Sequence, residues 1–103
     1  MSVQLIMTWD IRENMEQEYF EFVVSEWVPA TSRLGLQPIA AWYTQYRVDE
    51  SVPLIRAEAI ADSKEKLADI LSSADWQTIQ EDLAEFVENY SHKVVETTGE
   101  FKL

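Results

Sequence analysis

The sequence predicts an α+β domain: four antiparallel strands and two helices in the order β-α-β-β-α-β, with both helices on one face of the sheet. Three observations carry this. Near the N-terminus, Val3, Leu5, Met7, Trp9 and Ile11 recur at every second position, the period of a strand. In residues 73–90, Trp76, Ile79, Leu83, Phe86, Val87 and Tyr90 share one helical face, while Gln77, Gln80, Glu81, Asp82, Glu85 and Glu88 occupy the opposite one. Between these lie two strand-like runs, Ile39–Arg47 and Pro53–Ala61. A chain of 103 residues that is 47% apolar and has two glycines suffices for one core, so residues 1–103 are expected to form a single domain.

The elements follow in chain order. In the first strand Gln4, Thr8 and Asp10 are polar alternates, and Ile6 breaks the pattern, which predicts partial cover on both faces. Asn14, with Gln17 three residues on, is the expected N-cap of a helix from Met15 to about Val28. Its expected apolar face is Tyr19 or Phe20, Val23, Val24, Trp27 and Val28. Pro29 has no amide proton and crowds the carbonyl of Ser25, so a kink is expected there, followed by a last turn capped by Gly35 in the left-handed region.

Pro38 opens the second strand, as suits an edge, and Asp49–Ser51 is the expected hairpin turn to the third. One face of the third strand is small and apolar (Ile55, Ala57, Ala59, Ala61), whereas the other carries Leu54, Arg56, Glu58 and Ile60. Asp62 or Ser63 caps the next helix, and Leu67, Ile70, Leu71 and Ala74 fall out of phase with the later stripe. A break is therefore expected near Ser72–Asp75, with Ser73 capping a main helix that runs to Tyr90. His92 falls in the junction to a last strand, Lys93 to about Phe101, in which Gly99 suits a bulge.

This order is the split-βαβ, ferredoxin-like arrangement, in which strands one and three are central. The face away from the helices would hold Ile6, Thr8, Leu54, Arg56, Glu58, Ile60 and Val94. That set is too apolar for water and too charged for an ordinary core. A homodimer joined through this face, with Arg56 and Glu58 paired at or near the interface, accommodates both properties.

Charge excludes some partners. The formal net charge of −11, without a basic cluster, repels nucleic acid and anionic membranes. The chain has no apolar run of membrane-spanning length, and Asp10 and Glu13 interrupt any signal-peptide pattern, so a cytoplasmic protein is expected. It has no cysteine and one histidine, and neither a phosphate-binding glycine loop nor a serine elbow occurs, so no metal and no cofactor is expected.

The segment S-x-x-W-Q-x-[I/L]-x-x-x-L, here Ser73, Trp76, Gln77, Ile79 and Leu83, resembles the dimeric α+β barrel superfamily, and within it the NIPSNAP-like proteins. W-V-P-A-x-x-x-x-G, Trp27 to Gly35, is similar to the same superfamily. The resemblance implies a fold more than an activity. The superfamily holds cofactor-independent monooxygenases, haem-degrading enzymes, isomerases, polyketide cyclases and members without assigned activity. Its haem-degrading branch pairs a first-strand asparagine with a tryptophan opening the second helix and a histidine about ten residues later. Trp76 matches, but the first strand has no asparagine and the position near Phe86 is apolar, so haem degradation is not expected.

Trp9, Trp42, Tyr43, Tyr46 and Trp76 are the candidate ligand-binding residues, since aromatic walls suit a small hydrophobic or aromatic ligand. Each also has a packing role open to it. Asp10, Glu58 and His92 are the candidate proton-transfer groups if the chain is an enzyme acting on a small aromatic compound. Against that stand a solvent-facing carboxylate, an interfacial ion pair and a helix-capping histidine respectively. Enzyme or binding module is left open by the sequence.

Overall fold

The structure, a computed structural model, describes residues 2–43 and 55–96. Strand β1 (Val3–Ile11) buries every odd position and half-covers every even one, so its two faces are set by period-2 alternation alone. A turn through Arg12–Asn14 leads to α1 (Glu16–Phe22), a single π turn (Val23–Trp27) and α2 (Val28–Leu34). Strand β2 (Gln37–Tyr43) and strand β3 (Ile55–Ala61) follow, then α3 (Lys64–Leu71), α4 (Ala74–Leu83) and β4 (Val87–Glu96). The sheet order is β2-β3-β1-β4, all antiparallel, which puts β1 and β3 at the centre as expected. The expected hairpin turn at Asp49–Ser51, as well as Tyr46, Leu54 and Gly99, lies outside the described residues. None of the helices among the described residues is long and apolar enough to cross a membrane.

The first helix is one rod from Glu16 to Leu34 whose middle is widened rather than broken. Val28 N–H reaches back five residues to Val23 O, so the turn just before Pro29 holds an extra residue. That slack accommodates the proline ring, and the Thr31 hydroxyl donates to the Trp27 and Val28 carbonyls at 2.9 and 3.1 Å. The extra residue also shifts the buried face. Tyr19, Phe22, Trp27 and Thr31 point inward, whereas Val24, expected in the core, is 73% exposed. Gly35 ends the rod at φ 110°, with Leu36 N–H bonded to Thr31 O at 3.1 Å, the left-handed cap the sequence calls for.

Two expected caps hold and one does not. Ser63 and Ser73 accept from the backbone N–H groups of Lys66 and Trp76 at 3.0 and 3.1 Å, and the chain breaks between α3 and α4 at Ser72 and Ser73. Asn14, however, sits at φ 65° in the turn, and Met15 takes the cap position without a side-chain bond. Asparagine tolerates the left-handed region, and the tight Arg12–Met15 turn needs such a residue more than the helix needs a cap.

The largest departure is at the C-terminal helix, which ends at Leu83 instead of running to Tyr90. No glycine or proline stops it; tertiary contacts do. Arg12 Nε and Nη2 donate to Ala84 O at 3.2 and 3.1 Å, and Arg12 N–H donates to Phe86 O at 2.8 Å. Phe86 stacks on Phe22 with centroids 5.1 Å apart, and Val87 pairs with Ile11 as β4 begins. Asn89, at φ 59°, then supplies the extra residue of a bulge, because Asn89 and Tyr90 together stand opposite Trp9.

The early strand start moves two residues from their expected places. His92 lies within β4 opposite Met7, not in a helix-to-strand junction. Val94 pairs with Leu5 and so belongs to the helix side of the sheet, while Val95 pairs with Gln4 on the outer face.

Candidate functional site

Small side chains leave a gap between the sheet and the first helical rod. Ala41 and Ala57 pair across β2 and β3, Ala57 pairs with Met7 of β1, and Ala59 follows two residues on. Trp9 stands beside them on β1, and Tyr19, Trp27 and Thr31 line the space from the rod. The result is an apolar cavity of about 100 Å³. The π turn contributes directly, since Val23, Trp27 and Val28 line the wall above the alanines. The alanine row, the small apolar face of the third strand, thus leaves a hole beneath the rod. Helix α4 packs mainly on the rod and on α3.

The aromatic wall is fixed by contacts on several sides. Trp9 is 2% exposed and meets Trp27 edge-on at 5.7 Å, Tyr19 edge-on at 6.4 Å and Tyr90 face-on at 5.9 Å. Its indole Nε1 donates to the Tyr19 hydroxyl at 2.9 Å. Trp27 Nε1 donates to Gln80 Oε1 at 3.2 Å, tying the rod to α4. Burial pushes the Tyr19 phenol up to about 12, although the bond from Trp9 acts the other way, so it stays protonated at neutral pH. Tyr90 is pushed up further by burial, against a hydrogen bond from Gln80.

The residues expected from sequence separate into groups. Trp9 lines the cavity. Trp76 is buried at the start of α4, where it packs into the core and borders a shallow surface groove with Ser73, Gln77 and Tyr90. Trp42 pairs with Arg56 and Tyr43 with Ile55 in the β2–β3 ladder, and Tyr46 lies outside the described residues. Tyr19, Trp27 and Thr31 were not among the expected site residues. Trp27 has a signal in the sequence, the W-V-P-A motif, which marks packing unless the widened turn is known, whereas neither Tyr19 nor Thr31 belongs to that motif.

The three candidate proton carriers lie apart from one another. Glu58 is 8% exposed; its carboxylate accepts from Gln4 Nε2 and from Arg56 Nε and Nη2, the latter two at 2.9 Å, on the outer face of the sheet. Asp10 accepts from Asn89 Nδ2 at 3.0 Å beside the β4 bulge. His92 is exposed, with Nδ1 3.1 Å from the Tyr90 hydroxyl. Among the described residues, no three His, Asp or Glu side chains are grouped to hold a metal ion.

No protein-family profile matches this chain, and no curated protein does. Solved structures do. A NIPSNAP family protein from Agrobacterium tumefaciens superposes with a TM-score of 0.70 at 17% identity, over 100% of this chain and 99% of that one. A dimeric protein of unknown function and ferredoxin-like fold from Bacteroides fragilis gives 0.62 at 14%, over 93% and 96%. The hydroxynitrile lyase of Passiflora edulis gives 0.77 at 8%, over 97% and 96%. At such identities the likeness is one of architecture: the fold is ferredoxin-like, and a NIPSNAP family protein is among the structures that share it.

Proposed function

On this ferredoxin-like, NIPSNAP-like frame, we propose a homodimer whose subunits each bind a small hydrophobic or aromatic molecule between the sheet and the first helical rod. The observation that carries the reading is the cavity beneath the π turn, walled by Trp9, Tyr19 and Trp27 and floored by alanines. A packed interior seldom keeps such a space, because its lining forfeits dispersion contacts. An apolar cavity of roughly 150 Å³ stays dry and admits benzene. About 100 Å³ suits a molecule slightly smaller, or one that shifts the wall a little.

The test is a matched pair. Benzene at millimolar concentration is expected to raise the melting temperature of the native chain and to perturb the methyl resonances of Val23 and Ile55 in NMR spectra. Ala57→Leu is expected to keep stability within about 1 kcal/mol, since the added carbons enter empty space, and to abolish both effects. Unchanged benzene binding by the filled variant overturns the reading.

The dimer rests on the outer sheet face, where Ile6 pairs with Glu58, Thr8 with Arg56 and Gln4 with Ile60. Glu58 is covered within its own subunit and bound by Gln4 and Arg56, so a second sheet laid on this face would not bury Glu58 as a naked charge. The neighbour from Bacteroides fragilis, itself described as dimeric, supports a dimer. Light scattering at micromolar concentration is expected to give twice the 12.0 kDa chain mass. A monomeric mass overturns this part alone.

The enzymatic alternative, cofactor-independent oxygenation, isomerisation or cyclisation of an aromatic compound, needs a proton carrier facing the ligand. Glu58 spends its carboxylate on the opposite face, and neither Asp10 nor His92 borders the described wall of the cavity. Tyr19, held near 12, serves as a donor rather than a base. Binding is the better supported of the two.

A further inference from the structure

One side chain lining the cavity has a hydrogen-bond donor that meets no acceptor among the described residues. Four side chains with N–H or O–H groups line it among the described residues: Trp9, Tyr19, Trp27 and Thr31. Three have spent their protons inside the protein. Trp9 donates to Tyr19, Trp27 to Gln80, and Thr31 to the Trp27 and Val28 carbonyls. The Tyr19 hydroxyl accepts from Trp9, but its own proton meets no acceptor among the described residues. Tyr19 is only 3% exposed, so little of its side chain reaches surface water. A buried hydroxyl proton left unbonded is costly, and such a group needs an explanation.

We infer that Tyr19 donates a hydrogen bond to the ligand, and that the ligand is a small neutral molecule carrying a single acceptor on an apolar body: a carbonyl, an ether or a ring nitrogen. The inference rests on the cavity being a binding site and names the class of compound it selects. The bond from Trp9 orients the hydroxyl, because an indole N–H can only donate and therefore claims an oxygen lone pair of Tyr19. The tyrosine proton is then the group left to face a guest. An acceptor in the guest completes the chain Trp9 Nε1–H to Tyr19 O, Tyr19 O–H to ligand.

Charge narrows the class further. Glu58 is the one ionisable side chain besides Tyr19 along the described wall, and its carboxylate is held outside by Gln4 and Arg56. No described cation borders the space. A carboxylate or phosphate entering it would lose its hydration without an ionic partner, so anions are rejected. A hydrocarbon of the right size enters but leaves the Tyr19 proton unused. Selectivity therefore comes from a single bond, the arrangement that discriminates strongly because the protein's own buried polar group is otherwise left unpaired.

Benzene and neutral pyridine have nearly the same shape and differ by one acceptor, and they test the inference on the native chain and on Tyr19→Phe. The native chain is expected to bind pyridine through Tyr19, and Tyr19→Phe to weaken pyridine about tenfold while leaving benzene within a factor of two. Tyr19→Phe also deprives Trp9 of its acceptor and will lower stability, so a second measurement uses the native chain alone. With tyrosine labelled at Cζ, pyridine is expected to shift the Tyr19 Cζ resonance as its hydroxyl becomes a donor, and benzene to leave it nearly unmoved. Equal loss of both probes in Tyr19→Phe, or a Cζ shift common to both, overturns the role of Tyr19 and leaves the cavity as a binding site. Failure of both probes to bind the native chain overturns the cavity reading, and the inference with it.

Discussion

Replacing Trp9 by alanine is expected to destabilise the fold by about 3–5 kcal/mol, the range for truncating a large buried aromatic side chain. Trp9 joins three other elements to the central strand. It stands on the central strand β1, stacks on Tyr90 of β4, and meets Tyr19 of α1 and Trp27 of the π turn edge-on. Its removal enlarges an existing cavity of about 100 Å³, so the surroundings start with unfilled space and gain little by collapsing. It also removes the donor that orients the Tyr19 hydroxyl. Urea denaturation followed by far-ultraviolet circular dichroism measures the loss. A cost below about 1 kcal/mol would mean that Trp9 is not the keystone its contacts suggest. Trp76→Ala makes the comparison useful, because that side chain is buried too but lines no part of the described cavity wall.

The second large effect is expected with alkali. Tyr19 ionises at about 12 in the folded chain against an ordinary value of 10.0, because burial disfavours the phenolate. Below pH 10 the phenol is protonated whether the chain is folded or not, and the shift changes nothing. Between about 10 and 12 the unfolded chain loses this proton while the folded chain keeps it. The unfolded state then binds fewer protons, so unfolding becomes more favourable as pH rises. The loss from Tyr19 is about 2–3 kcal/mol by the top of that window. Tyr90, raised by burial as well, acts in the same direction. Urea midpoints measured from pH 8 to about 12 are expected to hold steady at first and then fall steeply. The fall should be shallower in Tyr19→Phe. An equal slope in both proteins would show that the Tyr19 phenol is not held protonated by its surroundings.

Much of this molecule is legible in the residues. The alternation from Val3 to Ile11 specifies a strand and its buried face together, because the side-chain period of a strand is two and a shift by one residue would exchange the faces. Ser63, Ser73 and Gly35 mark helix ends by chemistry local to each position, a hydroxyl facing free amides or a residue without Cβ at positive φ. The element order then confines the sheet to β2-β3-β1-β4. The candidate site was partly legible. Trp9 is an expected wall residue that lines the cavity, whereas Tyr19 and Trp27 read as packing and Thr31 carries no signal.

What the sequence could not settle depends on competition between distant groups. Residues 84–90 continue the stripe of α4 without interruption, yet they leave the helix because Arg12 holds the Ala84 carbonyl, Phe22 takes Phe86, and Ile11 takes Val87 into the sheet. Each of those partners is more than sixty residues away along the chain, beyond any local pattern. The π turn likewise reflects a proline that must be accommodated while Trp27 and Thr31 still face the sheet. The cavity follows from both, since its roof is the widened turn and its floor the alanines of β2 and β3. Local periodicity determined which elements form and, in β1, which face is buried. Tertiary packing alone decided where α4 stops, how the first helix turns and which of its residues point inward, and that a cavity lies between that helix and the sheet.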